Sequence, residues 1–243
     1  MISAIRKIAF YLPQYHPVAE NDRWWGLGFT DWISVVNAQP LFRGHNQPNF
    51  PADLGYYDLR VPEVREAQAA LARDAGLDAF CYYHYWFDGR RVLERPFDAV
   101  RQSGRPDFPF CLCWANEPWT RSWDGRSGEV LLAQRYSEAD DRSHISWLLS
   151  AFRDRRYFRV EGKPLFLVYR ASSLPDPART TDLWRDAARS DGLGELYLCR
   201  VESFPRESDR PPSALGFDAA VEFQPDWRTL ELDRWRDLVR SMA

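Results

Sequence analysis

Six short apolar runs alternate with helix-spaced segments along this chain, and that alternation constrains the fold more than any other feature. The runs cover residues 7–12, 79–86, 108–114, 164–170, 196–201 and 219–223. Residues 61–75, 92–103, 138–153, 181–190 and 232–242 carry apolar positions at helical spacing. Asp58 with Pro62 is expected to open the first helix and Gly76 to close it, while Ser137, followed by acids at 138, 140 and 141, opens the third. Strands separated by helices imply a parallel sheet with right-handed crossovers, either a closed barrel or an open doubly wound sheet.

Polar and aromatic residues fall just after the C-terminal ends of the runs. Gln14, His16, Trp24 and Trp25 follow the first; Tyr85, Trp86 and Asp88 close the second; Asn116, Glu117 and Trp119 follow the third. Glu202 follows the fifth run, and Glu222 and Gln224 mark the end of the sixth. A (β/α)8 barrel builds its site on that face from several strands, whereas an open sheet concentrates it at one switch point. The expected fold is therefore α/β, a TIM-type (β/α)8 barrel in a single domain spanning 1–243. Six strands are countable, so the barrel is expected to be C-terminally incomplete, with two strands beyond Ala243. The open first and last edges would then favour self-association. The connection 13–60 is much longer than an ordinary loop and is expected to act as a lid.

Composition narrows the partners. The net charge is −3 over 243 residues with both signs interspersed, which argues against nucleic acid. No segment approaches the roughly 20 apolar residues of a membrane helix, and the run after Arg6 and Lys7 is broken by Pro13, so a cytoplasmic protein is expected. Cys81, Cys111, Cys113 and Cys199 lie in strand-like runs without C-x-x-C spacing, and His16, His45, His84 and His144 form no H-x-x-x-H pair. Neither a metal nor a cofactor is expected. G-x-S-x-G, P-loop, G-x-G-x-x-G and D-x-D motifs are absent from the sequence.

The chemistry concentrates in residues 110–125, F-C-L-C-W-A-N-E-P-W-T-R-S-W-D-G. A buried strand runs into a loop carrying Asn116, Glu117, Arg121, Asp124 and the indoles Trp114, Trp119 and Trp123. Flat aromatic faces with charged neighbours suit a polyhydroxylated substrate. Glu117 is one candidate catalytic carboxylate, and Glu222, in V-E-F-Q-P, is the other. Paired carboxylates flanking an anomeric carbon are the usual machinery of sugar-bond chemistry. Tyr11, Gln14, His16, Trp25, Trp32, His45, Tyr85, Trp86 and Gln224 complete the candidate substrate-binding set. The structural alternative for Glu222 is a buried partner of Arg200.

Several long motifs in one order carry a resemblance: Y-L-P-Q-Y-H-P from Tyr11, W-W-G-L-G-F-T-D-W from Trp24, the run 82–86, W-A-N-E-P-W-T-R-S-W-D-G from Trp114, and G-K-P-L-F-L-V-Y-R from Gly162. Together they resemble the WbsX-type glycosyltransferases of lipopolysaccharide and capsule biosynthesis, themselves similar to family 99 glycoside hydrolases. The resemblance spans about residues 7–227 and implies a (β/α)8 barrel and surface-polysaccharide metabolism, by glycosyl transfer or, alternatively, endo-acting hydrolysis. A non-catalytic carbohydrate-binding protein is the third reading. Family members continue past the E-F-x-P motif with a closing segment not present here, so contributions from the last two strands are expected to be missing. N-E-P at 116–118 also resembles the acid/base motif of the large retaining glycosidase clan, with Glu222 at a comparable offset for its nucleophile. Family 99 enzymes work through the sugar 2-hydroxyl, and their catalytic pair is not carried onto these positions.

Overall fold

The computed structural model describes residues 5–121, 126–203 and 209–224. In chain order the elements begin with β1 (Ile8–Tyr11), α1 (Ala19–Trp25), α2 (Asp31–Val36) and α3 (Pro62–Asp74). Then come β2 (Ala79–Phe87), β3 (Arg90–Val92), α4 (Arg95–Ser103), β4 (Phe110–Trp114), β5 (Trp119–Arg121) and β6 (Arg126–Leu132). The series ends with α5 (Glu138–Phe152), β7 (Arg159–Val160), β8 (Lys163–Val168), α6 (Pro177–Ser190), β9 (Tyr197–Glu202) and β10 (Ala219–Glu222). All six expected strands form. The helix expected at 232–242 lies outside the described residues.

The six long strands pair in parallel in the order β1-β2-β4-β8-β9-β10, and β3 and β7 add antiparallel to β2 and β8. The sheet curls into a half-barrel, with β1 and β10 as its edges among the described residues. Strand alternation sorts the side chains into two sets. Phe10, Cys81, Tyr83, Tyr85, Cys113, Leu167, Cys199 and Val221 share the concave face by register. Tyr11, Tyr82, His84, Trp86, Trp114, Phe166, Leu198 and Arg200 share the opposite face, against the helices.

On the concave face four rings close a circuit. Phe10 lies 5.4 Å from Tyr83, Tyr83 5.9 Å from Tyr169, Tyr169 6.0 Å from Phe223, and Phe223 6.4 Å from Phe10. This part-exposed aromatic layer joins the two edge strands through side chains. On the outer face a stacked layer fixes α5: Trp147 on His84 at 4.6 Å, Trp86 on His144 at 4.6 Å, and the two imidazoles joined Nε2 to Nε2 at 3.0 Å.

Local chemistry explains the departures from the expected boundaries. The residues expected to start a helix at 92 instead finish the β2–β3 hairpin, whose Asp88-Gly89 turn has φ of 47° and 81°. Two positive φ values in a two-residue loop define the turn that suits strand twist. Pro96 then opens α4. The fourth expected helix begins a turn early, at Pro177, because Asp176 caps it by accepting from the Arg179 amide at 3.1 Å. Ser137 caps α5 as expected, accepting from the Asp140 amide at 3.1 Å. Asp58 does not cap α3; it binds the Arg60 amide and guanidinium instead.

Candidate active site

The long connection 13–60 folds into α1 and α2, and these stand against the β5–β6 hairpin above the C-terminal end of β2. Between them is a cleft of about 290 Å³. Trp24, Trp25, Phe29, Tyr85 and Trp119 give it five aromatic walls. Gln14, Asn21, Asp31, Ser34 and Thr120 supply its polar groups. Trp119 is held edge-on to Tyr85 at 5.2 Å and to Trp24 at 5.9 Å. The Arg121 guanidinium lies over Trp25 at 5.1 Å and is ion-paired with Glu129 at 2.8 Å.

A hydrogen-bonded chain crosses the cleft. The Tyr85 hydroxyl donates to Gln14 Oε1 at 3.0 Å, and Gln14 Nε2 donates to Asp31 Oδ1 at 3.2 Å. Burial pushes the Asp31 carboxyl above the usual aspartate range, opposed by hydrogen bonds from its own amide and from Gln14. The Tyr85 phenol is raised by burial first and then by the Asp31 charge, with a smaller contribution from Glu117.

Glu117 sits beside this cleft, half-buried, its Oε1 accepting from Arg170 Nη1 at 2.7 Å. Asn116 builds that pair. Its Oδ1 accepts from the Arg170 amide at 2.7 Å and its Nδ2 donates to the Arg170 carbonyl at 2.8 Å, clamping the loop after β4 to the end of β8. The Tyr136 hydroxyl completes the clamp by donating to the Asn116 carbonyl at 2.9 Å. A carboxylate held by a guanidinium next to an aromatic cleft is equipped to exchange a proton with a hydroxyl. Among the described residues no group of three or more His, Cys, Asp or Glu side chains is placed to hold a metal ion.

Of the expected site residues, the structure brings together Gln14, Trp25, Tyr85, Asn116, Glu117, Trp119 and Arg121. Others belong to the packing. Tyr11 faces α3, its hydroxyl donating to Gln68 at 2.6 Å. Trp86 and Trp114 point to the helix side, the first donating to Asp140 at 2.8 Å and the second to the Trp86 carbonyl at 3.2 Å. His16 is fully buried, with its pKa pushed down by that burial to about 4. Trp32 donates to the Tyr57 carbonyl at 2.8 Å and packs on Tyr15 inside the connection 13–60, and His45 stacks on Phe42 at 4.6 Å. Gln224 is exposed just after β10. Trp123 and Asp124 lie outside the described residues.

Glu222 is exposed and in register with Glu202. It follows Val221 and precedes Phe223, so alternation turns it to the face opposite the aromatic layer, and the strand does not bring it toward Glu117. Nor is it the partner of Arg200, which binds Glu202 at 2.6 Å. Sequence reasoning missed Asp31 and Arg170. Each lies inside a motif that carries the family resemblance, Asp31 in W-W-G-L-G-F-T-D-W and Arg170 in G-K-P-L-F-L-V-Y-R.

Residues 7–241 match the family described as "Glycosyltransferase WbsX". The chain belongs to the WbsX glycosyltransferase family. It is 50% identical over 251 residues to the uncharacterized protein WxcX of Xanthomonas campestris pv. campestris strain B100, a match covering 97% of this chain and 36% of WxcX. WxcX of strain ATCC 33913 is likewise 50% identical, over 91% of this chain and 32% of its own length. This WbsX chain thus spans about a third of the curated relatives it matches. Among solved structures, the GH99 endo-alpha-mannosidase of Bacteroides thetaiotaomicron superposes with a TM-score of 0.53 at 15% identity, over 88% of this chain and 60% of the mannosidase. A second, described as a glycoside hydrolase-like protein, gives 0.51 at 17% identity, over 92% and 62%. These likenesses establish a shared TIM-barrel fold. No helix among the described residues is long and apolar enough to cross a membrane.

Proposed function

We propose that this chain supplies the catalytic barrel face of a cytoplasmic bacterial enzyme that builds surface polysaccharide, lipopolysaccharide O-antigen or capsule, by glycosyl transfer. The observation that carries the reading is the Glu117–Arg170 ion pair beside a cleft walled by indoles. In the step envisaged, an acceptor hydroxyl attacks the anomeric carbon as Glu117 takes its proton, and the leaving group departs with the bonding pair. Family membership and the mannosidase-like fold support a glycan substrate.

Hydrolysis is the second reading, with water in place of the acceptor. The fold shared with an endo-alpha-mannosidase and the absence of a nucleotide-sugar motif favour it. Assay with sugar nucleotides and with oligosaccharides separates the two. Glu117→Gln should lower turnover by roughly 10²–10⁴-fold with glycan binding kept, the usual size of a lost acid/base contribution. Undiminished turnover would remove the acid/base role. Glycan binding with no turnover in either form would indicate a carbohydrate-binding protein. The paired-carboxylate version rests on Glu222→Gln: a comparable loss there supports the pair, and retained turnover leaves Glu117 to act without it. Self-association through the β1 and β10 edges forms part of the same proposal, and sedimentation of the 243-residue chain tests it.

A further inference from the structure

Asp31 poses an electrostatic problem that the protein leaves unsolved. Among the described residues its hydrogen-bond partners are Gln14 and its own amide, both uncharged, and no cation figures among the influences on its carboxyl. Three other part-buried acids in this chain are answered by arginine, Glu117 by Arg170, Asp98 by Arg91 and Glu202 by Arg200, while Asp140 and Asp141, buried against α-helices away from any cleft, take the Trp86 indole and the Thr180 hydroxyl. No lysine or arginine lines the Asp31 cleft among the described residues. Trp24, Trp25, Phe29, Tyr85 and Trp119 surround it instead. Aromatic faces about a lone carboxylate form the arrangement that binds organic ammonium groups, the ring quadrupoles and the acid acting together. Trp25 already carries one such contact, from Arg121. A phosphate or uronate would bring a second negative charge into the same partly desolvated space, which is costly.

We propose that this cleft is a subsite for a protonated amino sugar, with Asp31 as the residue that sets its specificity. The inference deepens the glycan-active reading and rests on it. Gln14 and Tyr85 hold the carboxylate in place, and the ammonium of the bound sugar supplies the missing counter-charge. The indoles take the apolar face of the ring.

Three tetrasaccharides with one β-1,4 backbone differ only at C2: the chitosan tetramer with an ammonium, chitotetraose with an acetamide and cellotetraose with a hydroxyl. Titration followed by indole fluorescence at about 0.15 M salt, where charges further apart than about 8 Å are screened, should show the chitosan tetramer binding at least tenfold more tightly than the other two. Asp31→Asn should reduce that preference to under threefold. Ser34→Lys, at an exposed cleft position one helical turn on, should do the same by placing a cation beside Asp31 without touching the core. Equal affinities for the three sugars, no binding of the chitosan tetramer, or a preference that survives both variants would overturn the proposal. Turnover lost in Glu117→Gln is measured separately, so an uncharged sugar in this cleft leaves the glycan-active reading standing.

Discussion

At the residue scale, Asn116 fixes the place of the Glu117–Arg170 pair. The carboxamide is fully buried and satisfies both the amide and the carbonyl of Arg170, so its removal strands two backbone groups as well as freeing the guanidinium. Asn116→Ala should cost about 1–3 kcal/mol of stability by urea melting and lower turnover. Arg170→Lys should leave stability within about 1 kcal/mol, since a part-exposed ion pair contributes little, yet reduce turnover because a lysine cannot reproduce the planar guanidinium donor. Equal stability loss in the two variants would contradict this division. Glu117 and Asn116 were legible because the N-E-P tripeptide breaks an apolar run. Arg170 was not: its partner is 53 residues away and meets it only through β4–β8 pairing. Tyr11, Trp86 and Trp114 were misplaced for a related reason. Parallel strands buried on both faces read as unbroken apolar runs, so sequence does not tell which side chains look into the barrel.

At the scale of elements, the six strands and their helices were legible from period and caps, and the small pieces were not. The β5–β6 hairpin escaped because β5 has three residues and its register shifts twice. Helices α1 and α2 were hidden in the connection 13–60, being seven and six residues long, too short to show a hydrophobic period. Packing is close where the chain leads into β10 beside α6. A Cβ on Gly216 would lie 1.9 Å from Thr181 Oγ1, and Gly216 has φ of +80°. Gly216→Ala should therefore destabilise by more than about 2 kcal/mol, through a clash and a disfavoured backbone together. Adding Thr181→Ala should recover only the steric part, so full recovery in the double variant would show that the backbone carries no strain.

Across the whole molecule, the buried histidines set how acid acts on the fold. Burial lowers His84 to about 3 and His16 to about 4, and holds His144 well below its usual value, with Arg91 adding to the effect on His84 and His84 to that on His144. The folded state keeps these rings neutral, while the unfolded chain protonates them near pH 6.5. Stability is thus fully present above pH 6.5 and falls as pH drops toward 4. One pH unit below the unfolded value, each ring should account for about 1.4 kcal/mol. Asp31, Asp140 and Asp141, raised above the ordinary aspartate range chiefly by burial, act in the opposite sense and blunt the acid end of the decline. Urea melts at pH 7.5, 6.0 and 5.0 measure the decline; a flat profile over that range would mean that the imidazole layer is reached by protons without unfolding.

The four concave-side thiols make the sheet its own stability gauge. Burial raises Cys81 well above its ordinary value and Cys199 to about 12, and Cys111, hydrogen-bonded to Cys81, is raised as well. A buried, protonated thiol reacts with a disulfide reagent only when the backbone around it opens. Cys81 on β2 and Cys199 on β9 each lie one strand from an edge, whereas Cys111 and Cys113 occupy central β4. Pulse labelling read by mass spectrometry should tag Cys81 and Cys199 first and the β4 pair only on global unfolding. Four identical rates would mean that the half-barrel opens as one cooperative unit, and a graded series would rank its strands in the order in which they peel away.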